Sequence, residues 1–180
     1  WSAIINGYDR EMMTARCPVK SIPEYLNREP ASCFNIKNTK VTHIFCDNIS
    51  EAENAAKCSL IPNVVKKPED MTGAVDAVII ATDIGSEHVR RAKPFLDAGL
   101  PVFVDKPLCD NIEDLKVFRK WVFEEKKHIL SSSGLRYYKE FLPWQASTNS
   151  LGRLRLVMVP MCKCWETYGI HAIEPIFTIT

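Results

Sequence analysis

The stretch Val75–Leu108, VDAVIIATDIGSEHVRRAKPFLDAGLPVFVDKPL, decides the fold. Its first eight residues, Val75 to Thr82, are almost continuously apolar, the pattern of a parallel strand buried on both faces. A helix over about 86–98 follows, with Val89, Ala92 and Leu96 inward and Gly99 just past its end, where helices favour glycine. Pro94 conflicts with that helix, because proline removes a backbone donor from its interior. Pro101 to Asp105 is a second buried strand, and it runs straight into Asp105-Lys106-Pro107. Strand, helix and strand with short links form a βαβ unit, which requires parallel strands and a right-handed crossover.

The same rhythm extends both ways. Upstream, Val41 to Cys46 is β-branched and apolar and ends at Asp47-Asn48, a strand pattern. Ser50 is placed to cap a helix through Cys58, with Glu51 and Glu53 in its first turn. Val64-Val65 is a short strand, and Pro68–Met71 a turn. Downstream, Asn111 opens a helix through Lys127, with Asp114 in capping-box spacing and Ile112, Leu115, Phe118 and Val122 as its apolar stripe. His128 to Ser132 is a further strand. The order β-α-β-α-β-α-β from 41 to 133 predicts an α/β fold with a doubly wound, parallel, Rossmann-like sheet.

The flanks read differently. A helix over 2–16 follows from the spacing of Ile4, Ile5, Tyr8, Met12 and Ala15. Residues 18–40, with Pro18, Pro23 and Pro30, read as a loop. Beyond Tyr138, residues 152–159 alternate enough to be a half-exposed strand. Residues 170–180 begin a helix with Ile170, Ile173 and Phe177 on one side. The change of rhythm after Tyr138 divides the chain into 1–135 and 136–180.

The chain has 180 residues, 46% hydrophobic and 25% charged, which is ordinary globular usage. Lys and Arg total 23 against 22 Asp and Glu. That balance argues against nucleic acid as a partner, since phosphate binding needs clustered positive charge. No run of 18 apolar residues is present, which argues against a membrane-spanning helix. The seven cysteines are odd in number and scattered, as reduced thiols are, so the expected compartment is the cytoplasm. There are only seven glycines and no G-x-G. A Rossmann-like sheet calls for a phosphate-binding glycine turn, which is expected upstream of Trp1.

In a doubly wound sheet, ligands bind at the C-terminal ends of the strands. Asp47, with Asn48 beside it, ends the first strand. An acidic residue there can accept both hydroxyls of an adenosine ribose and repel a 2′-phosphate, which would select NAD over NADP. A capping or turn Asp is the other reading. Lys106, held by Pro107 at a strand end, can act as a positioned cation; a surface turn is the alternative. Cys162-x-Cys164 has no second pair at zinc-ligand spacing, so no metal is expected. Arg136, Tyr137, Tyr138, Trp144, Trp165 and Tyr168 form an aromatic and cationic set suited to a sugar ring or to packing.

Val75–Leu108 resembles the core of the Gfo/Idh/MocA oxidoreductases. The residues that carry the likeness are Ala81-Thr82, His88, Ala98-Gly99 and Asp105-Lys106-Pro107-Leu108. Asp83 stands where the family has Pro, and Asp105 where it has Glu. The resemblance, over about 41–171, implies a dinucleotide-binding domain over 1–135, the start of an open-sheet α/β domain over 136–180, a parent chain about twice as long, NAD as cofactor and a small, carbohydrate-like substrate. It implies cofactor contacts at Asp47, Asn48, Ala81, Thr82, His88, Asp105, Lys106 and Pro107. It implies that Lys106 orients the reacting oxygen and that His171, in Gly169-Ile170-His171 at the opening of a helix, is the base. Arg136, Tyr168 and Glu174 are the candidate substrate contacts, and a homo-oligomer through the second domain is expected. Family dehydrogenases carry Asp four residues before that His; here Thr167 stands there. That departure keeps two rivals in view: an NAD-dependent glycoside hydrolase or lyase of this fold, and a non-catalytic binding relative.

Overall fold

A computed structural model describes residues 1–141, 143 and 152–179. Trp144 lies outside the described residues. The chain forms two compact units, Trp1–Val75 and Asp76–Thr180.

In the first unit the helix expected over 2–16 is two helices, α1 (Ser2–Asn6) and α2 (Arg10–Arg16). Gly7, at φ +78°, makes the break, and Asp9 caps α2 by accepting from the Met12 amide at 2.9 Å. The Asn6 side chain then binds Val41 as a neighbouring strand would. Its Nδ2 donates to the Val41 carbonyl at 2.9 Å, and its Oδ1 accepts from the Val41 amide at 2.8 Å.

The expected loop over 18–40 contains α3 (Ser21–Arg28) and a short 3₁₀ turn at Ala31–Cys33. Pro23 lies in the first turn of α3, where a missing N–H has no helical partner to lose. Leu26 and Pro23 anchor the helix by burial. The unit's core is Ala3, Met13, Cys17, Leu26 and Cys58, with Tyr8 edge-on to Phe34 at 5.2 Å. Strands β1 (His43–Ile44) and β2 (Asn63–Val64) pair in parallel and flank α4 (Ile49–Cys58). Asn48 caps α4 instead of Ser50, accepting from the Ser50 amide at 3.0 Å.

The second unit holds the parallel sheet β3 (Val78–Ile80), β4 (Val102–Val104) and β5 (Ile129–Leu130), in that order, with Val78 opposite Val102 and Val102 opposite Ile129. Helix α5 (His88–Asp97) packs on β3 and β4, burying His88, Ala92, Phe95 and Leu96. Val89 is only half-buried. Pro94 sits inside α5 and the helix continues past it. The carbonyl it would have satisfied is that of exposed Arg90, which water can reach.

Burial on both faces is not observed. Val78, Ile80, Val102 and Val104 point inward, whereas Ile79 is 40% and Leu130 55% exposed. Alternate residues face opposite sides of a sheet, and α5 covers one side.

Helix α6 (Ile112–Arg119) is capped by Asn111, which accepts from the Asp114 amide at 2.9 Å. It passes into a wider π-type turn over Lys120–Glu124, closed by the Glu125 amide on the Lys120 carbonyl at 3.0 Å. That turn advances the inward face, so Phe118 and Trp121 are buried, edge-on at 5.5 Å. Ile112 and Leu115, expected inward, are exposed, and Val122 is half-buried.

The strand expected over 152–159 is not formed. A strand requires a neighbour to complete its backbone bonds, and none of the described residues supplies one. Helix α7 (Trp165–Ile179) starts earlier than the expected residue 170. It buries Gly169, Ala172, Glu174 and Pro175, while Phe177 is exposed. No helix among the described residues is long and apolar enough to cross a membrane.

Candidate functional site

In the second unit three parallel strands end on one side. Thr82 follows β3, Asp105-Lys106-Pro107 follows β4, and Ser133 follows β5. His88 ties the first two ends together. Its Nδ1 lies 3.1 Å from the Leu108 carbonyl, and its Nε2 lies 3.0 Å from both the carbonyl and the hydroxyl of Thr82. Whichever ring nitrogen carries the proton, it donates into backbone. The side chain is fully buried. The structure therefore makes His88, expected as a cofactor contact, a clamp on the loop that carries Lys106.

A second tie lies alongside. The Asp110 carboxylate accepts from the Ser86 amide at 3.0 Å. Gly85 lies so close to this loop that an added Cβ would meet the Asp110 amide nitrogen at 2.7 Å. Only a residue without a side chain allows that approach.

Lys106 is the residue these ties place. Its peptide bond to Pro107 is cis. The ammonium stands 5.3 Å from the centre of the Tyr168 ring, on α7. Lys163 approaches the same ring at 4.2 Å and donates to the Tyr168 hydroxyl at 2.7 Å. Such cation–ring contacts are electrostatically favourable. Tyr168 in turn lies 5.5 Å, ring to ring, from His171, one helical turn further along α7. Lys106, Tyr168 and His171 are thus brought together. A cavity of about 280 Å³ opens at Tyr168 and His171, lined also by Leu135 and the Val159–Lys163 segment.

His171 lies in the second turn of α7 and not at its opening. Its Nδ1 is 2.6 Å from the Ser133 hydroxyl. Burial pushes its pKa below the ordinary value, the Lys106 ammonium pushes it further down, and Lys163 adds to this; Asp105 opposes. His171 therefore holds its neutral form to lower pH than a solvated histidine does.

Glu174 and Arg136, expected to touch substrate, bind each other: the Arg136 Nε donates to Glu174 Oε2. The other oxygen, Oε1, accepts from the Ser133 amide at 3.4 Å. With Glu174 nearly fully buried, this pair supports the floor of the site. Thr167 does not stand in for the family Asp. Its hydroxyl is 2.9 Å from Cys164 Sγ. Among the described residues no group of three His, Cys, Asp or Glu is placed to hold a metal ion.

Asp47 and Asn48 belong to the first unit, exposed after β1. Asn48 is the α4 cap, a role its position before an apolar-periodic run already suggests. Ser133 and Lys163 were not legible as site residues. Ser133 follows Ser131 and Ser132 with nothing in the pattern to single it out, and Lys163 lies between two cysteines in an irregular segment.

Parallel strands joined through helices, with polar side chains gathered at their C-terminal ends, define an α/β protein of the nucleotide-binding class. A family model described as "Oxidoreductase family, NAD-binding Rossmann fold" matches residues 23–132. The chain belongs to this family, the Gfo/Idh/MocA oxidoreductases.

Three solved structures illustrate the likeness. Scyllo-inositol dehydrogenase from Lactobacillus casei, with bound NAD(H) and scyllo-inositol, is 19% identical with a TM-score of 0.55, over 64% of this chain and 34% of that one. An NAD-binding protein from Listeria innocua is 26% identical with a TM-score of 0.54, over 64% and 34%. An oxidoreductase from Thermotoga maritima is 21% identical with a TM-score of 0.55, over 76% and 40%. The chain spans between a third and two fifths of the length of these proteins. No curated protein matches it.

Proposed function

We propose that this chain is part of an NAD-dependent oxidoreductase that moves a hydride between NAD(H) and a hydroxyl carbon of a polyol or sugar, with inositols as the leading class. The convergence of Lys106, Tyr168 and His171, with a cavity opening at Tyr168 and His171, carries this reading. The inositol-bound relative supports the substrate class. The bound nicotinamide supplies the hydride acceptor or donor. In this reading Asp47, an exposed acid after β1, accepts the ribose hydroxyls and favours NAD over NADP.

Lys106 donates to the reacting oxygen and fixes its distance from His171. His171, held in its neutral form near neutral pH by its depressed pKa, faces the same oxygen as a hydrogen-bond partner. Ala81, Thr82, Asp105 and Pro107 line the cofactor side in this reading, and His88 keeps that edge rigid. Tyr168 offers a ring face to the substrate. The domain boundary falls at 135/136, and the second domain carries a homo-oligomer contact in the cytoplasm.

Calorimetry with NAD(H) and NADP(H), followed by NADH formation with inositols, tests the proposal. Binding of neither cofactor by the intact protein would sink it. One observation favours a non-catalytic relative, namely that Thr167, in the place of the family Asp, bonds Cys164 and supplies no carboxylate to His171. In that case His171→Ala would leave cofactor and sugar binding unchanged and there would be no turnover to lose.

A further inference from the structure

His171 takes a hydroxyl as its partner, that of Ser133, whose side chain is fully buried at the end of β5. Both ends of the Ser133 backbone are tied: its amide donates to Glu174, and its carbonyl accepts from the Arg136 amide at 3.2 Å. The serine backbone is therefore held at both its amide and its carbonyl.

Its hydroxyl has one proton and two lone pairs. Among the described residues its oxygen has two partners, the Leu135 amide at 3.2 Å and His171 Nδ1 at 2.6 Å. The amide can only donate, so it takes a lone pair. The hydroxyl proton is then left with one acceptor, Nδ1. If Nδ1 carried a proton instead, two donors would face the oxygen and the buried O–H would have nowhere to point, a costly arrangement. Nε2 has no hydrogen-bond partner among the described residues, and His171 lines the cavity.

We infer that Ser133 is the positioning residue of His171: its hydroxyl donates to Nδ1, so the neutral ring carries its proton on Nε2 and offers the ligand a donor. This deepens the proposed function and rests on it for the identity of the ligand. An Nε2–H near the ammonium groups of Lys106 and Lys163 makes a donor-rich site. Such a site in its resting state receives an electron-rich oxygen, the carbonyl of the oxidised substrate, better than it receives a hydroxyl proton.

Long-range ¹H–¹⁵N spectra of the full chain, with His171 assigned through His171→Gln, read the tautomer directly. The expected result is Nε2–H over Nδ1–H by at least about tenfold. Ser133→Ala should cut that ratio several-fold, and Ser133→Thr, which keeps the hydroxyl, should restore it. A proton on Nδ1 in the wild-type protein, or a ratio indifferent to Ser133→Ala, overturns the inference. The wild-type spectrum decides even if the alanine variant does not fold. With NADH and an inosose, Ser133→Ala should lower kcat/KM for ketone reduction about tenfold while NADH affinity stays unchanged. If NADH does not bind, the dehydrogenase reading falls, while an Nε2–H spectrum still upholds the role of Ser133.

Discussion

Replacing His88 with alanine should loosen the end of the sheet on which Lys106 stands. The imidazole is fully buried and bridges the Leu108 backbone to Thr82 through contacts of 3.0–3.1 Å. Its loss leaves at least one buried carbonyl without a donor, at about 1–3 kcal/mol. The emptied ring volume adds a cavity cost of about 2 kcal/mol, as in other large-to-small core changes. The expected total is about 3–5 kcal/mol. Asparagine separates the two effects, because its amide nitrogen falls near the place of Nδ1 and can still donate to Leu108. His88→Asn should therefore recover about 1 kcal/mol or more relative to alanine. Amide hydrogen exchange in β4 measures this within the second unit, without assuming that the whole chain unfolds as one. A cost below about 1 kcal/mol for His88→Ala, or an asparagine variant no better than alanine, would refute the clamp.

Gly85→Ala forces a Cβ to within 2.7 Å of the Asp110 amide nitrogen and 2.8 Å of the Cys109 carbonyl carbon. Both are backbone atoms, so destabilisation by about 1–3 kcal/mol is expected in urea unfolding. Glu174→Gln leaves Arg136 without its counter-charge. Because Arg136 is half in solvent, the expected loss is about 1–2 kcal/mol, seen as a lower urea midpoint. The folded pKa of His171 lies below its unfolded value near 6.5, so the unfolded chain binds the proton more readily. The stability associated with His171 is thus complete above that value and lost as pH falls below it. His171→Gln should flatten the acid limb of the stability profile, and Lys106→Met should raise the His171 pKa in an NMR titration. The Thr167 hydroxyl and amide hold the Cys164 thiol below its ordinary pKa, whereas burial raises Cys58 and Cys109. Cys164 should be alkylated before either at neutral pH, and Thr167→Val should slow it.

The parallel sheet and its helices were legible because apolar runs, caps and glycine stops agreed along 41–133. Lys106 and His171 were marked by the family resemblance and Tyr168 by its place in an aromatic cluster, and the structure brings the three together. Elements set by contacts distant in sequence were harder to see. α3 hides behind Pro23, which looks like a breaker until its place in the first turn is known. His88 has the residue type of a site but the burial of a core, and no local pattern separates these. Ser133 acquires its role only through α7, some forty residues later. The strand expected over 152–159 has the right alternation and lacks a partner, since pairing is never a property of one segment.

The π-type turn at the end of α6 bears on how this chain can change its length. Inserting or deleting one residue in an α-helix rotates everything beyond it by about 100° and turns its buried face outward. Lys120–Glu124 already holds one more residue per turn than an α-helix would. Deleting a residue there would convert the wide turn to an ordinary one and leave Phe118 and β5 where they are. The segment is a slack link at which the chain can shed a residue without shifting the register of the sheet behind it.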